Sequence, residues 1–412
     1  MSAGGLNLDD GVVVDRYLLL GLALGRHVEG LVDAYYGPRE PAVAAAAADP
    51  VAPGVLAGAA RRLLADIESG VPLDHPGAAT GDGADGARRR WIGAQVRGLL
   101  TTARRLAGEV VSYPDEVEWC YGVRPHPYPE DEFAAAHARL DAVLPGTGPL
   151  PERYVAWRES HAVAPDKLRP AIDSLTEDLR ARTGSMFGLP DGEEVAFELV
   201  TGQPWSGFNY YLGDLRSRVA INTDLPVLST SLAHLVAHEA YPGHHTEHTR
   251  KEVGLVRRRQ WWEESIFLVG TPQCLLAEGL ADLGLEVVMG RRPEAVVAGH
   301  LVPLGIRYDE ETIAAVSAAG EALANVRANA AWMLHVEGAD LDDVVGYLER
   351  WALLSRPRAE KAVEFVSGPT WRAYMTCYIE GLPLCRRFVD GDPGRFARLV
   401  TEQLLPADLA AA

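Results

Sequence analysis

The chain has 412 residues, a formal net charge of −18 at pH 7 and 48% hydrophobic residues. Those values fit an ordinary globular protein with a large core. The acidic surplus argues against nucleic acid and anionic membrane surfaces as partners, and admits an acidic substrate only where a metal or an arginine cluster reverses the local field.

Four cysteines occur, Cys120, Cys274, Cys377 and Cys385, none in a C-x-x-C pair. A chain this long is not a disulfide scaffold, so they read as free thiols of a reducing, cytoplasmic compartment. The opening MSAGGLNLDD lacks the basic and apolar regions of a signal peptide. The apolar run over 17–25 is shorter than the ~20 residues that a bilayer-spanning helix needs.

Apolar residues at helical spacing predict helices over 10–36, 55–69 and 87–107, the first stopped by Gly37-Pro38. AVAAAAADP (42–50) is compatible with helix, and PLDHPGAATGDGADGA reads as a Gly/Asp-rich loop. A short helix beginning near Pro114, the irregular passage WCYGVRPHPYPEDEF, and helices over 133–143 and 152–183 follow. The middle changes character. EEVAFELV (193–200) alternates as a strand does, SRVAINTDLP (217–226) is a second strand, and TGQPWSGFNYYLGDL joins them as a loop or hairpin. A helix then runs from 227 into His238, and others are predicted over 263–269, 272–289, 293–335, 341–354, 358–366, 370–389 and 395–405. The expected fold is mainly α, a large helical body with a small β-sheet or hairpin beside the motif helix. It divides into an N-terminal helical part over 1–190 and a metal-site part over 191–412 of one continuous body.

The chemistry concentrates in HEAYPGHHTEH, residues 238–248, with four histidines and two glutamates in eleven positions. Two histidines at i and i+4 of a helix lie ~6 Å apart along one face and can share a zinc ion. From His238, however, i+4 is Pro242. His244 lies on the wrong face of a straight helix, and His245 lies ~10.5 Å along it. Pro242 and Gly243 cannot continue a regular helix, so the backbone opens, and a wide turn can swing His244 back toward His238. A second reading is the inverted motif H-x-x-E-H over 244–248, which pairs His244 with His248 and makes Glu247 the base. His244 belongs to both readings. Downstream, AEGLADLGLE puts Glu278 and Asp282 on one helix face. Glu278 completes a His2Glu zinc site, and Asp282 can fix the tautomer of a ligand histidine.

HEAYPGHH followed by EGLADL resembles the bacterial family called domain of unknown function eight-eight-five, a member of the gluzincin-like metallopeptidase superfamily. Its pattern is H-E-x-x-P-G-H-H and then E-G-W-A, with Leu280 here in place of the tryptophan. The resemblance extends over LALGRHVEGLVDAYYGP, FNYYLGDLRSRVAINTD and RAYMTCYIEG. It implies His238, His244 and Glu278 as ligands of one Zn²⁺ and Glu239 as general base, which favours the opened helix over the inverted motif. It implies that the strand over 216–223 is an edge strand that pairs with an extended substrate, with Asn222 as a substrate contact. It also implies that a downstream tyrosine, Tyr374 or Tyr378, supports the oxyanion. Arg372 is a candidate fork for a substrate carboxylate, and His245 is a neighbour of the ligands.

The expected activity is hydrolysis of an amide bond in a short peptide or peptide-like small molecule. A metal-dependent tailoring enzyme of small-molecule biosynthesis, or a silent metal-binding protein, is the alternative. Against the latter, a binding protein has no need of Glu239 beside a full ligand set. The donor set suits zinc, and Mn²⁺, Fe²⁺ or Co²⁺ can occupy the same ligands.

Overall fold

Proline and glycine punctuate the helices much as the sequence suggests. Helix α3 (Pro53–Ser69) opens on a proline and closes at Gly70 in the left-handed region. The hydroxyl of Ser112 caps α5 (Tyr113–Tyr121) by accepting from the Asp115 N–H at 3.3 Å. The structure, a computed structural model, describes residues 6–75, 85–203, 205–368 and 371–411. The predicted Gly/Asp-rich loop falls mostly outside them.

The chain begins with α1 (Val13–Gly25), β1 (Val32–Tyr35), α2 (Arg39–Ala47), α3 and α4 (Asp85–Leu106). After α5 come α6 (Glu130–Val143), α7 (Leu150–Glu159) and α8 (Pro165–Phe187). Three strands follow, β2 (Glu194–Val200), β3 (Gly207–Gly213) and β4 (Arg216–Asn222). The motif region holds α9 (Ser229–Glu239) and α10 (His244–Lys251), a π-helical turn, and β5 (Ile266–Leu268). Helix α11 (Pro272–Met289) comes next, then α12 (Glu294–Leu301), α13 (Glu310–Gly320) and α14 (Val326–Trp332). The chain ends with α15 (Leu341–Trp351), α16 (Arg356–Ser367), α17 (Met375–Val389), α18 (Pro393–Leu399) and α19 (Pro406–Ala410).

The architecture is mainly α with a small β part. Among the described residues, β1 pairs antiparallel with β5, and β4 lies between β2 and β3, parallel to the first and antiparallel to the second. Four expectations are corrected here. The strand expected at an edge, β4, is central, so both its backbone edges are already paired. The loop or hairpin expected between the two strands is a third full strand, β3, paired with β4. The long helix expected over 10–36 stops at Gly25, and its tail becomes β1, whose partner β5 lay within a predicted helix. The single helix expected over 293–335 is broken into α12, α13 and α14.

The main core draws on both sides of residue 190. Leu168, Ile172 and Leu175 of α8 pack in one cluster with Val236 of α9, Leu280 of α11 and Leu384 of α17. A second cluster under α1, α3 and α4 takes in Ile266 and Leu268 of β5. Helix α11 is buried nearly all round, as a central helix must be. It meets α17 at backbone contact: a Cβ added to Gly279 would stand 2.3 Å from the Gly381 carbonyl oxygen. That approach brings the tyrosines of α17 over the acidic face of α11. No helix among the described residues is long and apolar enough to cross a membrane.

Candidate metal centre

The motif does not form one bent helix. Helix α9 ends at Glu239, four residues change direction, and α10 begins at His244. The Tyr241–Pro242 peptide bond is cis. The Gly243 N–H reaches back to the Ala237 carbonyl at 3.0 Å, folding the break onto the end of α9. A Cβ at Gly243 would stand 1.9 Å from the His238 carbonyl oxygen, so only glycine fits. Gly284 of α11 lets Pro242 pack close, since a Cβ there would stand 3.0 Å from the proline ring.

This break brings His238 and His244 together, Nε2 to Nε2 at 3.2 Å, with their rings nearly perpendicular. Glu278 closes the triangle: Oε2 lies 3.4 Å from His238 Nε2, and Oε1 lies 3.8 Å from His244 Nε2. Two donors bonded tetrahedrally to zinc at ~2.0–2.1 Å stand about 3.3 Å apart, so these separations suit one small cation. Two further observations fit such a group. Glu278 Oε2 is buried without a hydrogen-bond partner, and a buried carboxylate oxygen left alone is costly. His238 Nδ1 donates to Asp282 Oδ1 at 2.8 Å, which points Nε2 toward His244 and Glu278.

The charges are strongly coupled. Burial opposes protonation of His238, but its bond to Asp282 and the nearby Glu278 carboxylate outweigh this and hold its pKa well above the usual value. Burial pulls His244 down to about 4, with Glu278 opposing and His238 adding, so its ring is a neutral donor at pH 7. Burial would raise Glu278, yet the approach of His238 and the charges of both histidines hold it below the ordinary carboxylate range. The same histidine contacts, with His234, keep Asp282 ionised against its own burial.

Glu239 is 6% exposed at the end of α9. Its Oε1 lies so close beneath β3 that a Cβ on Gly207 would come within 3.0 Å of it. Burial pushes its carboxyl up to about 7, with His238 opposing and Glu278 and Asp282 adding. A carboxylate tuned near neutrality suits general-base work. Asn209 of β3 donates from Nδ2 to the Glu239 backbone carbonyl at 2.5 Å and so positions this turn. The strand beside the site is therefore β3.

On the other side, Tyr374 donates to Glu278 Oε1 at 2.8 Å, and Tyr378 donates to the Tyr374 oxygen at 3.2 Å. Tyr378 is 38% exposed. It is the outer of the two hydroxyls, while Tyr374 is tied to the ligand carboxylate.

Several expected residues are placed elsewhere. His245 is fully buried between Ser217 Oγ and Glu193 Oε2, both at 2.8 Å, and anchors α10 to the sheet without touching the ligands. His248 stacks on Tyr211 at 4.6 Å, and Glu247 accepts from Lys251 at 2.8 Å, so the inverted motif is not brought together. Arg372 is not an open fork: it donates to Glu116 Oε2 at 2.6 Å and to the Val111 carbonyl at 3.1 Å. Asn222 closes a turn, donating to the Gln203 and Trp205 carbonyls and accepting from the Asp224 N–H.

Other residues escaped the sequence reading. His234, one turn before His238, lies 3.4 Å from Asp282 and forms a second possible ligand group with it and His238. Its i−4 spacing was visible. Within that group His238 Nδ1 is already bonded to Asp282. Asp33 sits at a bulge where β1 slips register against β5. Burial, then Glu278 and Glu239, push its carboxyl up to about 8. Only the three-dimensional pairing of β1 places it near the centre.

No family model matches the chain, and no curated protein matches it. Among solved structures, it is similar to a "putative lipoprotein" from Colwellia psychrerythraea, with a TM-score of 0.54 and 15% identity over 86% of this chain. The chain spans 65% of the length of that structure. A "putative lipoprotein of unknown function" from Shewanella oneidensis is similar at a TM-score of 0.44 and 12% identity, over 87% of this chain and 71% of that one. The Colwellia likeness is one of fold alone.

Proposed function

We propose that the chain is a metal-dependent hydrolase of an amide bond in a short peptide or peptide-like small molecule, with His238, His244 and Glu278 holding one zinc ion. The observation that carries this reading is the meeting of His238 Nε2, His244 Nε2 and the two Glu278 carboxylate oxygens at 3.2 to 3.8 Å, with a buried carboxylate, Glu239, raised to about 7 beside them. The resemblance of HEAYPGHH and EGLADL to domain of unknown function eight-eight-five supports it. Four free, buried cysteines accord with a reducing, cytoplasmic setting.

A divalent cation held by this set supplies Lewis acidity to a carbonyl oxygen and lowers the pKa of a water molecule. Glu239 accepts the proton of the attacking water and passes it to the leaving nitrogen as the C–N bond breaks. Tyr378, the outer hydroxyl, can donate to the oxygen that gains charge; such a donor is typically worth ~10²–10³ in rate. Tyr374 and Asp282 orient the ligands and leave the chemistry to others.

The test is metal content of the protein purified without added metal, followed by hydrolysis of a peptide library. About one zinc per chain, kept in His248→Ala and Glu239→Gln and lost in His238→Ala and Glu278→Ala, is expected. Turnover should vanish in Glu239→Gln. Zinc that persists in Glu278→Ala, or a Glu239→Gln protein as active as wild type, overturns the assignment.

A further inference from the structure

Beside the two histidines joined across the Pro242 break stands a histidine pair at regular spacing. His234 and His238 are i and i+4 of α9, which is helical from Ser229 to Glu239. That spacing sets two imidazoles on one helix face, where they can share an ion. Their ring centroids lie 5.8 Å apart. Asp282 of α11 faces both: its Oδ1 is 2.8 Å from His238 Nδ1 and 3.4 Å from His234 Nε2. The first contact is a hydrogen bond. The second is longer than the about 2.7–3.2 Å of a good N–H···O bond and close to the ~3.3 Å between two donors of one zinc ion.

The grouping is selective. Among the described residues, two sets of three His, Cys, Asp or Glu donors come within 4.8 Å of one another: His238, His244 and Glu278, and His234, His238 and Asp282. Other histidine–aspartate pairs, His75 with Asp15 and His300 with Asp178, belong to neither set. His238 is the shared member and turns a different nitrogen to each, Nε2 to Glu278 and Nδ1 to Asp282. Asp282 also lacks a permanent counter-charge. Glu116 is held by Arg105 and Arg372, Glu263 by Arg88 and Glu247 by Lys251. Among the described residues Asp282 has only the two histidines within 4.0 Å and no arginine or lysine.

The two sets differ in access. The Glu278 side chain is 8% exposed, that of Asp282 is 15% exposed and that of His234 is 47% exposed. An ion arriving from solvent, drawn by the net charge of −18, therefore meets His234 and Asp282 before it meets the buried ligands.

We propose that His234 and Asp282 form a second zinc site on the solvent side of the first, filled when zinc is in excess, and that an ion held there draws Asp282 away from His238 and loosens the inner ion. This rests on the inner ligand set assigned above and adds a regulation of that site, inhibition by excess of its own metal. His238 Nδ1 already donates to Asp282, so the outer ion has two protein ligands and water where the inner one has three protein ligands. It is therefore the weaker of the two. Its effect on the inner ion follows from the role of Asp282, since losing the partner that orients a ligand histidine typically lowers metal affinity about 10–100-fold. The like charge of a second cation nearby acts in the same direction.

The experiment is titration of the metal-free protein with zinc against a chromogenic chelator, for wild type, His234→Ala, Glu278→Ala and His75→Ala. The wild type should bind two ions, the second at least tenfold more weakly than the first. His234→Ala removes an exposed side chain, and should keep the first ion at wild-type affinity and lose the second. His75→Ala removes another exposed histidine, 2.6 Å from an aspartate, and should keep both. Protein loaded with one equivalent of isotope-enriched zinc is then placed in excess natural zinc, where the label should leave the wild type at least tenfold faster than it leaves His234→Ala. One ion in the wild type that His234→Ala retains overturns the outer site and leaves the inner one standing. A second ion kept by His234→Ala, a second ion lost from His75→Ala, or equal release of label from wild type and His234→Ala also overturns the proposal. Zinc lost in His234→Ala and kept in Glu278→Ala supports the outer site and removes the inner one, and the hydrolase reading with it. No zinc in any of the four proteins overturns both.

Discussion

Substitution of Gly243 by alanine tests the geometric basis of the metal centre. The added Cβ would stand 1.9 Å from the His238 carbonyl oxygen and 2.6 Å from that of Ala237, where ordinary contact begins at 3.4 Å. Both obstacles are backbone atoms, so no side-chain rotation relieves them. The chain must move by more than an ångström between the two histidines, which now stand 3.2 Å apart. Overpacking of this kind typically costs about 1–3 kcal/mol in stability. The effect on the site should be larger, since metal–ligand distances tolerate only about ±0.2 Å. Metal affinity should fall by more than the roughly 10–100-fold lost with a single supporting contact. The assays are urea unfolding of the metal-free protein and zinc affinity by competition with a chromogenic chelator. An alanine variant with wild-type zinc affinity and an unchanged unfolding midpoint would refute the view that Gly243 sets the distance between the ligands.

Asp282→Asn removes the carboxylate that orients His238, so zinc affinity should drop about 10–100-fold with little change in secondary structure by circular dichroism. Arg372→Ala removes one of the two guanidiniums on Glu116, Arg105 keeping the other, so it should cost about 1.5–3 kcal/mol in chemical unfolding while KM for an active peptide stays unchanged; a raised KM with normal stability would return Arg372 to the substrate site. Asp33 has a folded pKa near 8, above its ordinary 3.8, so its protonation favours the folded state, and that contribution is lost as pH rises toward 8. Stability of the metal-free wild type should therefore fall relative to Asp33→Asn by up to about 1.4 kcal/mol per pH unit between pH 4 and 8. Parallel unfolding curves for the two proteins across that range would contradict it.

How far the sequence speaks depends on how local each feature is. Helix α11 was legible with its bounds, because Pro272 opens it, Gly290 follows it and apolar residues run throughout. The pairing of β1 with β5 was not. Each strand has only three or four residues, and what makes them strands is a partner more than 200 positions away. The same division runs through the site. His238, His244 and Glu278 sit in short motifs whose donor chemistry is visible residue by residue. The hydrogen bond from Asn209 to the Glu239 carbonyl, the hold of Glu193 on His245, and the approach of Asp33 all join distant segments, and composition gives no sign of them.

Arg372 makes the point most sharply. It lies in RAYMTCYIEG, two residues from a tyrosine of the site, and that proximity in sequence made it the natural candidate for a substrate carboxylate. Its guanidinium instead holds Glu116, a residue 256 positions earlier. What separates a structural arginine from a binding one is whether the fold has already supplied its anion, and for Arg372 that is settled only where α5 meets the segment leading into α17.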